Sequence, residues 1–249
     1  MNWDFINIES NTGVYNMSYD INLAETTEPG TAVLRFYKWK PYCISLGANQ
    51  DFNTINKKKT YYNNIDLVER PTGGRAILHS QELTYSVVYP LDNGFSPKDL
   101  YCEINLALKK GMIFFNSDLE KIELEGEQPH FPGFYKNNKS DLCFAVAAKN
   151  ELKFEGKKLV GSAQRKMNNS VLQHGSILCG DFHKNIVDFL YLNDEETVQM
   201  REEIINITTD LRSILNYEIN YDLLAEAIKA GFEEHFKIQF ESSFVQLQD

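Results

Sequence analysis

The hydrophobic pattern of the chain switches repeatedly between the two-residue period of strands and the 3.6-residue period of helices. A short alternating stretch at residues 5–8 is followed at 16–24 by apolar residues with helical spacing. Two strands are predicted at 32–39 and 42–47, and the Pro and Gly residues around them indicate a hairpin-like pair. The chain therefore opens with both helix and strands, as mixed α/β domains do.

The later part of the chain continues this mixture. A helix is predicted at 97–115, with Ser96 as its N-cap. Residues 142–178 have strand character again and predict a second sheet region, with a turn at Glu155-Gly156. The C-terminal part is helical, and 221–236 carries one apolar stripe. Because no repeat or low-complexity linker interrupts the pattern, we expect one domain.

Charge and cysteine spacing exclude several classes of protein. The 25 Lys and Arg against 35 Asp and Glu give a net charge of −10, which disfavours binding to nucleic acid or to an anionic membrane. No apolar run approaches the roughly 20 residues of a membrane span, and no signal-peptide pattern is present, so we expect a cytoplasmic protein. The cysteines form no CxxC pair, so we expect neither a metal site nor disulfides. They are Cys43, Cys102, Cys143 and Cys179.

Positive charge is nevertheless concentrated in one stretch, residues 136–166, which we call the basic window. It contains eight Lys and Arg residues and three acids. Such a stretch is either a solvated strand edge or a docking surface for an acidic partner. Both interpretations remain open at this point.

Two adjacent glycines stand in the stretch Arg70-Pro-Thr-Gly-Gly-Arg75. Adjacent glycines let the backbone approach a ligand closely, and the arginines and free N–H groups can hold an anion or a polarised carbonyl. A Gly-Gly pair between strands is also a common hairpin turn, so this motif alone does not decide.

Four further residues could carry chemistry or could be structural. Lys158 faces solvent if its side of the strand is the outer one. If its side is the inner one, the buried ammonium needs a carbonyl, carboxylate or phosphate as partner. His79 and His174 are either packed imidazoles or functional groups. Cys143 could be an inert apolar residue, but Lys158 in the neighbouring predicted strand could stabilise its thiolate.

Several motifs follow one another in order along residues 13–180. They are YNM with Asp20, SLGANQ from Ser45, RPTGGRAILHSQELTYSVV from Arg70, CFAVAAKNELKFEGKKLVGSAQRK from Cys143, and LQHGSIL from Leu172. Together they resemble the biotin/lipoate protein ligase superfamily. Within it, Cys-Phe before the E-L-x-x-x-G-K-K segment is similar to the cysteine-dependent octanoyltransferases of lipoate assembly.

The resemblance implies a single catalytic domain over residues 1–249, of the α/β class. Its mixed α+β sheet would be like that of class II aminoacyl-tRNA synthetases and biotin ligases. The core motifs occupy 13–180, and 181–249 would form a helical C-terminal part.

For function, the resemblance implies a two-step acyl transfer. An octanoyl group would pass from octanoyl-acyl carrier protein to a thioester at Cys143, and then to a lysine of a lipoyl domain such as the glycine-cleavage carrier protein. No cofactor is implied, because the thioester is already activated. Lys158 would lower the pKa of Cys143 and polarise the acyl carbonyl, and His79 would transfer protons.

The resemblance also implies a substrate-binding set around a largely apolar pocket, with the Gly-Gly loop at its mouth. This set comprises Arg70, Thr72, Gly73, Gly74, Gly161, Ser162, Ala163, His174 and Gly175.

Two alternatives and two departures accompany the resemblance. An ATP-dependent lipoate–protein ligase would share the fold and hold Lys158 against an acyl-adenylate, with ATP and Mg²⁺ as cofactors. A non-catalytic subunit that binds a lipoyl domain is disfavoured, since Cys143 and Lys158 are both present. Glu69 precedes Arg70 where the family usually has a second basic residue, and Ala48-Asn49 replaces a basic–aromatic pair.

Overall fold

The computed structural model describes residues 1–91, 94–126 and 151–240. The described strands are β1 (Asn2–Asn11), β2 (Thr31–Trp39), β3 (Cys43–Leu46), β4 (Asp66–Glu69), β5 (Ile77–His79), β6 (Glu82–Pro90), β7 (Ile122–Leu124), β8 (Leu152–Phe154), β9 (Lys157–Lys158), β10 (Val160–Lys166) and β11 (Ser170–Leu178). The described α-helices are α1 (Gly13–Thr26), α2 (Lys57–Tyr62), α3 (Pro97–Phe115), α4 (Asp194–Ile207), α5 (Leu211–Leu215) and α6 (Tyr221–Phe236). Short 3₁₀ helices lie at Phe52–Thr54, Ser117–Lys121 and Phe182–Phe189.

The main sheet has five strands in the order β1-β2-β6-β11-β10. β1 and β2 are parallel, and the other three pairs are antiparallel. Two smaller sheets have the orders β4-β3-β5 and β7-β8-β9. Every residue of β6 is buried, because α3 and α6 cover one face of the main sheet and α1 lies against the other. The described residues include no helix long and apolar enough to cross a bilayer.

The predicted hairpin-like pair of the strands at 32–39 and 42–47 is wrong. β2 lies between β1 and β6, whereas β3 lies between β4 and β5 in a different sheet. Both edges of β2 already have partners, so the short connection at 40–42 carries the chain from one sheet to the other. Local alternation of apolar residues does not specify the partner of a strand.

The predicted second sheet region at 142–178 is only partly correct. β10 and β11 continue the main sheet through pairing of β11 with β6. Only β8 and β9 belong to a separate sheet, where they form a hairpin. Its turn is at Glu155 and Gly156, as predicted, and both residues have positive φ (49° and 78°), which two-residue hairpin turns of this type require.

The helix predictions are confirmed. Ser96 caps α3 by accepting a hydrogen bond from the backbone N–H of Asp99, and Pro97 is the first helical residue. The apolar stripe predicted at 221–236 is the buried side of α6, which packs against α3.

A buried ion pair fastens α1 to the main sheet. Arg35 on β2 donates to Asp20 at 2.7 Å and to the Asn16 side chain at 2.7 Å. The Tyr37 and Ser86 hydroxyls also donate to Asp20. Burial alone would raise the pKa of Asp20, but His174, Arg35 and Tyr37 together hold it below its ordinary value. Asp20 is therefore ionised at neutral pH and matches the charge of Arg35.

The backbones of α3 and α6 touch where two glycines meet. A Cβ placed on Gly111 would lie 2.4 Å from the Ile228 Cα, and one on Gly231 would lie 2.3 Å from the Gly111 nitrogen. Only glycine allows this approach, because the neighbouring atoms are backbone and cannot turn away.

We therefore expect Gly111→Ala to destabilise the protein by about 2 kcal/mol, although alanine normally favours a helix over glycine by about 1 kcal/mol. Urea unfolding measures the change. Gly126→Ala is the control, since no described residue lies within 4 Å of a Cβ at that position, and its free energy of unfolding should stay within about 0.5 kcal/mol of the parent. A stabilised Gly111→Ala would contradict the close approach of the two helices.

Candidate active site

A narrow cavity lies between the main sheet and the β4-β3-β5 sheet, with a volume of about 30 Å³. Its described walls come from α1, from strands of both sheets and from β9. Most of the side chains that the sequence singled out meet here, although they are far apart in the chain. Met17, Trp39 and Ile77 supply apolar wall.

Lys158 points into this cavity rather than into solvent. It is only 3% exposed, and its Nζ lies 2.9 Å from the Glu151 Oε2. The other carboxylate oxygen of Glu151 accepts a hydrogen bond from the backbone N–H of Ser162 at 3.1 Å. A buried ammonium is tolerated only with such an anion beside it, so Glu151 fixes the position of the cation.

His79 is held on both ring nitrogens. Its Nε2 lies 2.7 Å from the Ser45 Oγ, and its Nδ1 lies 2.8 Å from the Glu82 Oε1. The ring stacks on Trp39 with centroids 4.0 Å apart, and the Trp39 indole is fixed in turn by donating to Thr84. The imidazole therefore has one orientation in the wall of the cavity.

His174 has a different environment. Its Nε2 lies 2.7 Å from the Thr72 Oγ1, while its Nδ1 is 3.6 Å from an Asp20 oxygen, beyond ordinary hydrogen-bond distance. Burial lowers the pKa of His174, with smaller opposing contributions from Asp20. The ring is thus neutral at neutral pH and holds the Gly-Gly loop through Thr72.

Arg70 organises that loop from inside the protein. It is 2% exposed and donates to the backbone oxygens of Ser45, Gly73 and Arg75 at 2.9, 3.0 and 2.6 Å. A second contact of its Nη1 reaches the Ser45 Oγ at 3.1 Å. Arg70 therefore joins the loop to β3 and presents one edge to the cavity.

Gly73 and Gly74 are not among the residues that line the cavity. Gly74 has a φ of +98°, and a Cβ placed on Gly47 would lie 2.1 Å from the Gly74 carbonyl oxygen. The SLG and Gly-Gly motifs are thus two loops whose backbones touch. The glycines permit this contact, and the neighbouring Arg70 reaches the cavity in their place.

The other predicted binding residues line the wall formed by β10 and β11. They are Gly161, Ser162, Ala163 and Gly175. The Ser162 hydroxyl is hydrogen-bonded to the Tyr85 hydroxyl at 2.7 Å. The structure thus brings these four together with Arg70, His79, Lys158 and His174, while Thr72 contributes through its bond to His174.

Cys143 lies outside the described residues. The three cysteines within them are absent from the described cavity wall. Burial raises the pKa of Cys43, Cys102 and Cys179 alike. Their thiols are therefore protonated at neutral pH. The described part of the chain holds no group of three or more side chains placed to bind a metal ion.

Sequence reasoning gave no role to three residues of the site, namely Ser45, Glu82 and Glu151. Ser45 belongs to the quoted SLG motif, but nothing in that motif places it beside His79. Glu82 precedes the mostly apolar stretch LTYSVVYP, and Glu151 precedes Leu152 in the alternating segment ELKF. An acid at the buried start of such a strand is a signal that could have identified them, since it needs a partner.

Comparison with known proteins gives a consistent result. Residues 12–233 match the family model of the lipoyl protein ligase A/B catalytic domain. The octanoyltransferase LipM of Staphylococcus aureus is 32% identical over 244 residues, which cover 95% of this chain and 88% of the relative. The octanoyltransferase LipM of Bacillus subtilis is 31% identical over 250 residues, covering 96% and 88%.

Solved structures share the fold at lower identity. A bipartite archaeal lipoate protein ligase from Thermoplasma acidophilum, studied with its E2 lipoyl domain, superposes with a TM-score of 0.76 at 18% identity and covers 98% of this chain and 87% of that one. Lipoate-protein ligase A bound with ATP gives 0.72 at 19% identity, covering 98% and 89%. Biotin protein ligase from Aquifex aeolicus gives 0.51 at 12% identity, covering 94% and 70%.

The predicted fold class is confirmed, because these neighbours share the catalytic fold related to class II aminoacyl-tRNA synthetases. The family model matches most of the chain, and relatives at more than 30% identity span nearly all of it. The chain therefore belongs to the lipoyl protein ligase A/B catalytic domain family, and it is an acyltransferase enzyme.

Proposed function

We propose that the protein moves an octanoyl group from octanoyl-acyl carrier protein to Cys143, and from Cys143 to a lysine of a lipoyl domain. The observation that carries this proposal is the Lys158 ammonium, buried in the cavity wall and held by Glu151. The relatives named as octanoyltransferases support the acyl group. The glycine-cleavage carrier protein is our candidate acceptor, and no ATP is needed.

A fixed cation suits this chemistry because two negative charges appear during the transfer. The first is the Cys143 thiolate, since a nearby ammonium lowers the pKa of a thiol. The second is the oxyanion that forms when the acyl carbonyl is attacked. Lys158 would stabilise both charges. Its ion pair with Glu151 would hold the ammonium in one position while the negative charge moves from the sulfur to the oxygen.

Both steps exchange one bond at the acyl carbon. In the first, the Cys143 sulfur bonds to that carbon, and the carrier sulfur leaves and takes up the proton that Cys143 lost. In the second, the lysine nitrogen bonds to the carbon and the Cys143 sulfur leaves as a thiol. Splitting the transfer in this way is ordinary covalent catalysis.

The described cavity is narrow, with a volume of about 30 Å³, and an octanoyl chain has to lie against its apolar wall. The wall contains Met17, an unbranched and flexible side chain that can move aside. We propose that the acyl chain lies on this apolar side of the cavity.

Replacement of Cys143 tests the thioester step. Cys143→Ser should abolish octanoylation of a lipoyl domain and of the protein itself, because the thiolate is the attacking group. Intact-protein mass spectrometry after incubation with octanoyl-acyl carrier protein, without ATP, should show one added octanoyl group in the parent and none in Cys143→Ser. Cys102→Ser, in a half-buried thiol on α3, is the matched control and should keep both reactions.

A different outcome of the Cys143 experiment would contradict the thioester mechanism. If Cys143→Ser still octanoylates the acceptor with free octanoate and ATP, and the parent never carries an acyl group, the protein is an ATP-dependent ligase instead.

Replacement of Lys158 tests the electrostatic role. Lys158→Ala should lower the transfer rate by about 10²–10³-fold. It also removes the cation that balances Glu151, which costs about 3–5 kcal/mol of stability. Adding Glu151→Gln should recover much of that stability without recovering the rate, as thermal unfolding and transfer assays would reveal. Recovery of both would make Lys158 merely structural.

Charge reversal in the basic window tests whether this stretch docks the lipoyl domain. Lys153 is ion-paired with Glu125, and Lys158 lies in the cavity, whereas Lys139 and Lys149 fall outside the described residues. We expect Lys139→Glu with Lys149→Glu to slow octanoylation of an acidic lipoyl domain about tenfold at low salt, with less difference at high salt. The control is Lys57→Glu with Lys58→Glu, the same charge change on α2. Equal slowing by both pairs would leave only net charge as the cause.

A further inference from the structure

Ser45, His79 and Glu82 form a line of hydrogen bonds that begins at the cavity. Ser45 Oγ lies 2.7 Å from His79 Nε2, and His79 Nδ1 lies 2.8 Å from Glu82 Oε1. Ser45 and His79 line the same cavity as Lys158. A hydroxyl, an imidazole and a carboxylate in this order is an arrangement that draws a proton from the hydroxyl end.

The environment of Glu82 decides which nitrogen of His79 carries hydrogen. Burial would raise the pKa of Glu82, but His79 and the hydroxyls of Thr84 and Ser176 together hold it below its ordinary value. The carboxylate is thus ionised at neutral pH and only accepts hydrogen bonds. A neutral His79 beside this carboxylate would donate from Nδ1 and accept the proton of Ser45 at Nε2.

The surroundings of Ser45 and His79 favour removal of that proton. Arg70 Nη1 donates to Ser45 Oγ at 3.1 Å, so a cation faces the oxygen as it loses hydrogen. Glu82 on β6 faces the imidazole as it gains charge. Among the described residues, His174 on β11 also interacts with this ring and is neutral at neutral pH. Cys43 on β3 is the cross-strand neighbour of His79, and burial raises the pKa of its thiol. Lys158 on β9 lines the same cavity. Trp39 covers one face of the ring.

His174 lacks this combination. Its Nδ1 is 3.6 Å from Asp20, and the Asp20 charge is already matched by Arg35 at 2.7 Å. Its Nε2 faces Thr72, which is not among the cavity-lining residues. His183, the third buried histidine among the described residues, lies between the Gly180 carbonyl and the Thr208 hydroxyl and is not in the cavity wall. Of these three, His79 alone connects a carboxylate to a hydroxyl in the cavity wall.

The proposed transfer to a lysine needs such a group. A lysine side chain with a pKa of about 10.4 is almost entirely ammonium at neutral pH, and an ammonium nitrogen has no lone pair with which to attack. We propose that Ser45, His79 and Glu82 are a proton relay that deprotonates the acceptor lysine. This inference rests on the proposed function and adds the group that activates its second substrate.

The proton movements balance. The ammonium gives one proton to Ser45 Oγ while the Ser45 proton moves to His79 Nε2, and Glu82 stabilises the imidazolium. The neutral amine then forms the C–N bond, its second proton goes to the departing sulfur as the C–S bond breaks, and His79 returns its proton to water through Ser45. Ser45 and His79 act on the substrate, and Glu82 is a positioning residue.

The test measures acceptor octanoylation by Ser45→Ala and Glu82→Gln from pH 7 to pH 9.5. At pH 7 each variant should be about 10²-fold slower than the parent, a typical effect of losing a general base. The difference should shrink as pH rises, because more of the acceptor lysine is already neutral. Hydroxylamine, an amine that is neutral at pH 7, should remove the acyl group from parent and variants at similar rates.

A matched control and a folding check accompany these variants. His235 and Glu103 form a histidine–carboxylate pair at 2.7 Å on α6 and α3, away from the described cavity wall. Glu103→Gln makes the same chemical change there and should leave the pH profile unaltered. Thermal unfolding of all variants shows whether any loss of rate follows a loss of structure; Glu82→Gln keeps the shape of the side chain, and Ser45→Ala removes one oxygen.

Three results would overturn the relay. They are a loss of rate that is the same at every pH, an equal loss with hydroxylamine, or an octanoyl group found on Ser45, which would make it a nucleophile. Failure of the proposed function looks different, since the parent itself would then carry no acyl group from the carrier thioester. In that case the pH dependence of acceptor octanoylation by the parent and the two variants is measured with free octanoate and ATP. The acceptor lysine needs a base in that reaction too, so the relay is tested independently of the thioester step.

Discussion

The buried ion pair between Lys158 and Glu151 is the constraint on which the rest of the site depends. Burying either charge without the other would be very costly. Strand β9, which carries Lys158, and Glu151, which directly precedes β8, must therefore stay together. The β8–β9 hairpin turns through two residues with positive φ to bring them close. Glu151 also accepts from the Ser162 N–H. The pair thereby ties the small β7-β8-β9 sheet to β10, at the edge of the main sheet.

A second constraint is the contact between two loops that only glycine permits. The Gly74 carbonyl occupies the space that a Cβ on Gly47 would take. This contact fixes the end of β3, and Arg70 bonds to the same strand and to the loop. Ser45 and His79, on neighbouring strands β3 and β5, therefore have little freedom. Precision in the placement of the relay comes from backbone contacts outside the cavity.

The sequence predicted the parts of the fold that local chemistry decides. The cap at Ser96 and the turn at Glu155-Gly156 follow from individual residues, and both are confirmed. Strand partners were wrong, since apolar alternation in β2 and β3 is the same whether they pair with each other or with distant strands. The ordered motifs pointed to most of the cavity residues. They did not reveal Glu82 and Glu151 as partners of His79 and Lys158, although each pair is close in the chain, because sequence spacing does not show which polar side chains turn toward the same cavity.

The buried charges that the structure describes around the cavity balance one another. In the described part of the chain, three cations and three anions are buried there: Arg35, Arg70 and Lys158, with Asp20, Glu82 and Glu151. A thiolate or an oxyanion would add one negative charge to this balance, and a proton on His79 would add one positive charge. Because charges in a poorly hydrated cavity interact strongly, the two additions stabilise each other. A relay that stores the acceptor's proton on His79 would therefore supply positive charge to the cavity at the step in which the oxyanion forms.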